Sequence, residues 1–232
     1  MDIREMHYLI KLRMDKVDSL HYDNFLSYEI DAYLNRSQIQ LLNTRYNINN
    51  IYKKGFEGNQ KRIEDLKHLL EHEILQPEII DNVSYRYNLD NLESKYFIHI
   101  SSQVLATKGS CKINISTDIT EHDDIYQVLK DDNYKPSFEW MVVPFVFRKN
   151  YMYGYSDVDF SLGGLEIDYL RYPRNMYFGD YEDFNGNLLI QQNSELPEHL
   201  QYELIDLTVL NIKIDIESPT TKESNDLLTI IE

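Results

Sequence analysis

His122, Asp123 and Asp124 stand together in "EHDDIYQVLKDD" and offer imidazole and carboxylate, a donor set that suits Zn, Mn or Fe. Adjacent residues seldom point the same way, and no HxxxH or HxH partner lies nearby, so the stretch also reads as a helix start decorated with acids. His68 and His72 are spaced four apart, which would put both on one helical face, but the glutamate of a zincin motif and a third ligand are missing. "GFEGNQKR" has the glycines and basic helix start of a phosphate cradle. It lacks the preceding strand, and Glu57 between Gly55 and Gly58 would repel a phosphate. Cys111 is the only cysteine, which excludes an intrachain disulfide and a cysteine zinc cage. It sits in an alternating stretch with no histidine beside it and is expected to be a buried small hydrophobe. No GxSxG elbow occurs. Catalytic, metal-binding and cofactor-binding residues are all expected to be none, and the chain is expected not to be an enzyme.

The elements that would carry these residues change character along the chain. Ile3, Met6, Ile10, Met14 and Val17 recur every three or four residues and predict a first helix. A second is predicted from Asn24 or Ser27, either a possible cap, through Ile30, Leu34, Leu41 and Leu42 to about Tyr46, its apolar stripe interrupted by "NRSQ". "NINNIYKKGFEGN" reads as a loop. A third helix is predicted from about Asn59, with Ile63, Leu66, Leu70 and Ile74 on one face and Pro77 just beyond. "YFIHIS", "CKINIST" and "YMYGYSDVDF" then alternate as half-buried strands do, and Gly163 and Gly164 suggest the primed turn of a hairpin. A short helix is predicted at Ile125 and Leu129, and a closing one after Pro197 along Leu200, Leu204 and Leu207. The expected class is α+β: a helical subdomain over 1–80, an antiparallel, sandwich-like β-rich subdomain over 81–195, a C-terminal helix over 196–217 packing on the helical subdomain, and a tail over 218–232 that docks on a partner or stays flexible.

The length of 232 residues allows one large domain or two intimate subdomains. A net charge of −16 argues against holding nucleic acid by phosphate neutralisation, which needs clustered Lys and Arg. The start "MDIREMHYLI" lacks the pattern of a signal peptide, and "MVVPFVF" is far short of the ~20 apolar residues that span a bilayer, so no membrane is expected and a reducing cytosol suits the chain. The many tyrosines lack a basic groove and read as sheet packing and subunit contacts.

"IDAYLNRSQIQLLNTRYN", "GFEGNQKRIEDL", "EHDDIYQVLKDDNYKPS", "LEIDYLRYPRNM" and "LPEHLQYELIDLTV", in this order, resemble a virion structural protein of crAss-like and related Bacteroidetes-infecting tailed phages, over most of the chain from Ile30 to about Leu210. The resemblance implies a head-to-tail connector or ring protein beneath the portal, assembled in the host cytoplasm and ending in the virion neck, with genomic DNA passing through its lumen. A conduit should not grip DNA, and an acidic wall fits that duty. A homo-oligomeric ring matched to the portal would hold about twelve copies and touch the portal and adjacent neck or tail rings.

On this reading "KKGFEGNQKRIEDL" is a joint, with Lys53, Lys54, Phe56, Glu57, Lys61 and Arg62 meeting the next subunit or a neighbouring ring. Arg171 and Arg174, flanking Pro173 and expected to be exposed near a strand end, form a second candidate contact. The apolar tail residues Leu227, Leu228, Ile230 and Ile231 form a third. The alternatives are a metal-dependent phage nuclease using His122, Asp123 and Asp124, and an acidic regulator that binds a host protein.

Overall fold

The computed structural model describes residues 1–15, 25–46, 64–182 and 186–216. The candidate joint from Lys53 to Arg62, with Lys54, Phe56, Glu57 and Lys61, and the tail with Leu227, Leu228, Ile230 and Ile231 lie outside the described residues. The fold is α+β, and the chain divides into two compact units, Met1–His68 with Pro173–Glu232, and Leu69–Tyr172. The chain thus passes between units at 68/69 and 172/173, where the sequence reading had placed divisions at 80/81 and 195/196.

Helix α1 (Ile3–Asp15) buries Ile3, Met6, Ile10 and Met14, the three-and-four spacing that gave it away. Helix α2 (Ser27–Tyr46) opens with the Glu29 carboxylate accepting the Leu26 backbone N–H at 2.8 Å, which satisfies one of the donors a helix start leaves orphaned. Beyond it, residues 64–66 are helical and Lys67–Leu69 make a single 3₁₀ turn.

The second unit is a sandwich of two sheets. One has the order β1 (Leu70–Leu75), β9 (Ser161–Arg171), β4 (Tyr96–Lys108), β5 (Cys111–Ser116), antiparallel throughout. The other runs β2 (Glu78–Ile79), β3 (Ser84–Asn88), β8 (Tyr151–Tyr155), β7 (Pro144–Arg148), β6 (Asp118–Ile119), antiparallel except where β6 lies parallel to β7. Alternate residues point inward from both sheets: Val104, Ala106, Ile115, Leu165, Ile167 and Tyr169 from one meet Tyr85, Tyr87, Phe145 and Met152 from the other in a single core. The Tyr87 hydroxyl, buried among them, donates to the Gly163 carbonyl at 2.8 Å and so leaves no polar group unpartnered there. A short helix α3 (Ile125–Val128) interrupts the strands and anchors itself through buried Ile125.

After Tyr172 the chain returns to the first unit, forms the two-stranded ribbon β10 (Tyr181–Glu182) and β11 (Leu188–Leu189), and closes with α4 (Glu198–Ile216). Both α1 and α2 pack on α4. Part of the polar interruption in α2 belongs to this interface: Ser37 is buried, and Asn211 Nδ2 of α4 donates to Ser37 Oγ at 2.9 Å and to Gln40 Oε1 at 3.1 Å, while Gln38 is buried with its Nε2 unpartnered. A polar seam of this kind fixes helix register, since sliding would leave its groups unpaired.

Three expectations are corrected. The predicted third helix does not continue past the turn at Lys67–Leu69: "LEHEIL" is strand β1, Leu66 is buried, and Leu70 and Ile74 are 43% and 57% exposed rather than sharing its face. Residues four apart satisfy a period of two as well as one of 3.6, and pairing from Leu70↔Leu170 to Leu75↔Leu165 decides for the strand. Gly163 and Gly164 are not a hairpin turn but lie inside β9. Ala106↔Leu162 and Val104↔Leu165 bracket them, so β9 carries one residue more than β4 between those pairs, a β-bulge. Cys111 is exposed, because it opens β5 at the tight turn carrying Gly109 at φ +60°, beyond the edge of the core that Ile115 reaches.

Candidate interaction surfaces

The residues with chemical potential are spread apart. His122, Asp123 and Asp124 lie exposed in the turn before α3, and Asp124 makes no side-chain capping bond there. Among the described residues no group of three or more His, Cys, Asp or Glu is placed to hold a metal ion. His72 is on β1 rather than on a helix face shared with His68, and its Nδ1 stands 2.8 Å from Asp168 Oδ1 on the adjoining β9. Ser101 of β4 donates to the other oxygen of Asp168 at 2.6 Å. Serine, carboxylate and imidazole thus meet in an order that cannot activate the hydroxyl. A hydrolytic relay needs the imidazole between serine and carboxylate. Here the carboxylate sits between, and the cluster ties three strands across an open sheet face.

Two buried polar networks brace the helical unit. Asp31, 2% exposed, accepts His7 Nε2 at 2.7 Å on one oxygen, and the Phe178 backbone N–H at 2.8 Å and the Tyr181 hydroxyl at 2.6 Å on the other. Burial, and then the bond to Asp31, push the Tyr181 hydroxyl above its ordinary range, so it stays a donor. The second network centres on fully buried Asp65, which accepts His199 Nε2 at 2.6 Å and has Arg45 Nε at 3.5 Å; Arg45 also pairs with Glu203. Beside the first network a cleft of about 710 Å³ is lined by Tyr28, Tyr33, Tyr177 and Tyr181 with Glu29 and Glu182. His7 Nδ1 in the first network and Arg45 Nε and Asp65 Oδ2 in the second are buried without a hydrogen-bond partner, but none of these three residues lines the cleft, and both networks read as scaffolding.

Among the described residues the most exposed large apolar side chain is Trp140, at 84%, followed by Val158 at 81%. Trp140 lies on a tight turn closed by a two-way backbone bridge, Ser137 N–H to Val142 O at 2.9 Å and Val142 N–H to Ser137 O at 3.0 Å. Inside the turn Phe138 packs on the core and meets the buried Phe160 ring at 6.0 Å, fixing the turn from below. Met141, 59% exposed, holds φ +55°, a left-handed conformation that costs a non-glycine residue on the order of 1 kcal/mol. Lys108 Nζ reaches Glu139 at 2.6 Å and Asp159 at 3.5 Å, so the Trp140 turn and the Val158 turn are tied together. Lys135 has a raised pKa, first from its bond to Asp132 and also from the field of Asp157. The two turns tied through Lys108 therefore show Trp140, Met141 and Val158 to solvent, with Glu139, Asp157 and Asp159 next to them along the chain and Asp132 joined through Lys135.

Of the second candidate contact, Arg174 is 70% exposed on its side chain, with Nε at 3.2 Å from Glu195. Arg171, expected to be exposed, is half-buried at the end of β9 with Nε on Glu71 at 3.1 Å, and Pro173 between the two arginines is buried. The strand end is held by its own neighbour β1, which is why the guanidinium turns inward. The tip residues were not singled out from sequence: "MVVPFVF" was weighed only against the length of a membrane span, and the one local signal is a lone tryptophan between Glu139 and Met141. No protein-family description matches the chain, and no curated protein sequence matches it.

Proposed function

We propose that the chain is a virion structural protein of a tailed phage, forming a ring in the head-to-tail connector beneath the portal, with an acidic lumen through which genomic DNA passes. The observation that carries this reading is the clamped tip at Trp140, Met141 and Val158, because a surface ordered at a cost and left apolar in water serves contact rather than reaction. The order of the phage-like segments along the sequence supports the same role, and so does a net charge of −16, since a wall of that sign repels phosphate. The chain has no enzymatic duty on this reading; its copies, about twelve if they follow the portal, meet each other and the rings above and below. It is made and assembled in the host cytoplasm and ends in the virion neck.

Quantitative mass spectrometry of gradient-purified particles tests the assignment. The expected result is this chain in the particle at a copy number equal to that of the portal protein or a simple multiple of it. Its absence from purified particles, with abundant chain in the infected-cell lysate, would overturn the reading.

A further inference from the structure

We propose that the tip of the sandwich is the plug of a head-to-tail contact between copies, received by the basic stretch 53–62 of a second copy of this chain; this rests on the ring reading above and names the contact that closes the ring. The plug is defined by geometry. Trp140 and Met141 stand on a turn bridged at Ser137 and Val142, and Val158 is brought beside them by Lys108, whose ammonium reaches both Glu139 and Asp159. An exposed tryptophan at the centre of a small apolar patch is the side chain that most often dominates a protein contact when it is desolvated. The rim says what kind of surface can cover it. Glu139, Asp157 and Asp159 are chain neighbours of Trp140 and Val158, Asp132 joins them through Lys135, and Lys108 and Lys135 are already engaged with these acids. An anionic bilayer is repelled by such a rim, whereas a surface bearing Lys and Arg is drawn to it.

In a chain of net charge −16, residues 53–62 gather Lys53, Lys54, Lys61 and Arg62 against the single acid Glu57, with Phe56 among them. That stretch lies outside the described residues, and its composition alone selects it: opposite charge for the rim and an aromatic ring for the apolar centre. Plug and receptor are different stretches of the same chain. Such a contact is heterologous, so it repeats from copy to copy and either closes as a ring or runs on as a filament.

Trp140 is the only tryptophan, so the emission reports covering of this turn with no second tryptophan to interfere. The full chain would be followed by sedimentation velocity and tryptophan emission over a concentration series. The expected result is self-association accompanied by a blue shift of the emission and protection from acrylamide. Trp140→Ala and, separately, Lys53→Glu with Lys54→Glu should each weaken association by about tenfold or more. Asp157→Lys, mixed with the Lys53→Glu, Lys54→Glu chain, should restore it while leaving the Lys108 tie to Glu139 and Asp159 in place; circular dichroism of each variant verifies folding.

Oligomers that form with Trp140 still water-exposed would overturn the plug while leaving the ring reading standing. Trp140 burial that is indifferent to the charge reversals would overturn the receptor. A chain that remains monomeric at every concentration, or whose Trp140 shifts only on vesicles of mixed anionic lipid, would overturn the inference altogether, and the fate of the ring reading would then be decided separately by the composition of the particle.

Discussion

Asp31 is the single side chain on which the helical unit depends most, because it accepts hydrogen bonds from α1, from the 178 backbone and from Tyr181 while almost fully buried. Asp31→Ala would strand three donors at once and is expected to lower stability by about 3 kcal/mol, measured by urea denaturation, whereas Tyr181→Phe removes one bond and should cost about 1 kcal/mol. His99 gives the sandwich unit a pH dependence. Burial holds its pKa below the free value of 6.5, with the nearby Asp168 charge opposing, so the unfolded chain binds the proton first as pH falls. The stability it contributes is complete above pH 6.5 and declines as pH falls from there through the folded value. Replacing it by Gln should reduce the drop in melting temperature between about pH 7.5 and about pH 5.5, a difference read by calorimetry on the two proteins in parallel. None of these partnerships was legible in the sequence, since Asp31 lies 147 positions from Phe178 and 150 from Tyr181, and nothing local marks one acid among many as the buried one.

At the scale of elements, periodicity served well where one period dominates. Helix α1, helix α2 and helix α4 lie where their apolar stripes put them, because burial of a stripe every 3.6 residues is what stabilises them. The reading failed where local pattern was ambiguous and a distant strand decided: "LEHEIL" satisfies both periods until β9 pairs with it, and two adjacent glycines mark a bulge as readily as a turn. Gly154 is a glycine whose reason is visible only in the packed sandwich. It lies opposite Phe145 on β7, and a Cβ there would come within 2.6 Å of the Phe145 ring and 3.1 Å of Leu162. Gly154→Ala is therefore expected to destabilise the unit by about 1–3 kcal/mol in chemical denaturation, and pairing it with Phe145→Leu should recover part of the loss if the ring is the obstacle.

The whole molecule combines a strongly acidic sequence with a β unit that offers an apolar tip and a helical unit stiffened by buried polar networks. The α+β class and the helical and strand-rich textures were legible from patterning, but the candidate surface was not: an exposed Trp140 and a buried one have the same neighbours in sequence, and only the clamped turn distinguishes them. On the proposed ring reading that surface serves assembly, so the decisive measurement is made on the assembled particle. Cryo-electron microscopy of purified virions, reconstructed at the portal vertex without imposing the capsid symmetry, is expected to place this chain in the neck as a closed ring of about twelve copies around the DNA path. A neck whose rings are all accounted for by other chains would contradict the connector role.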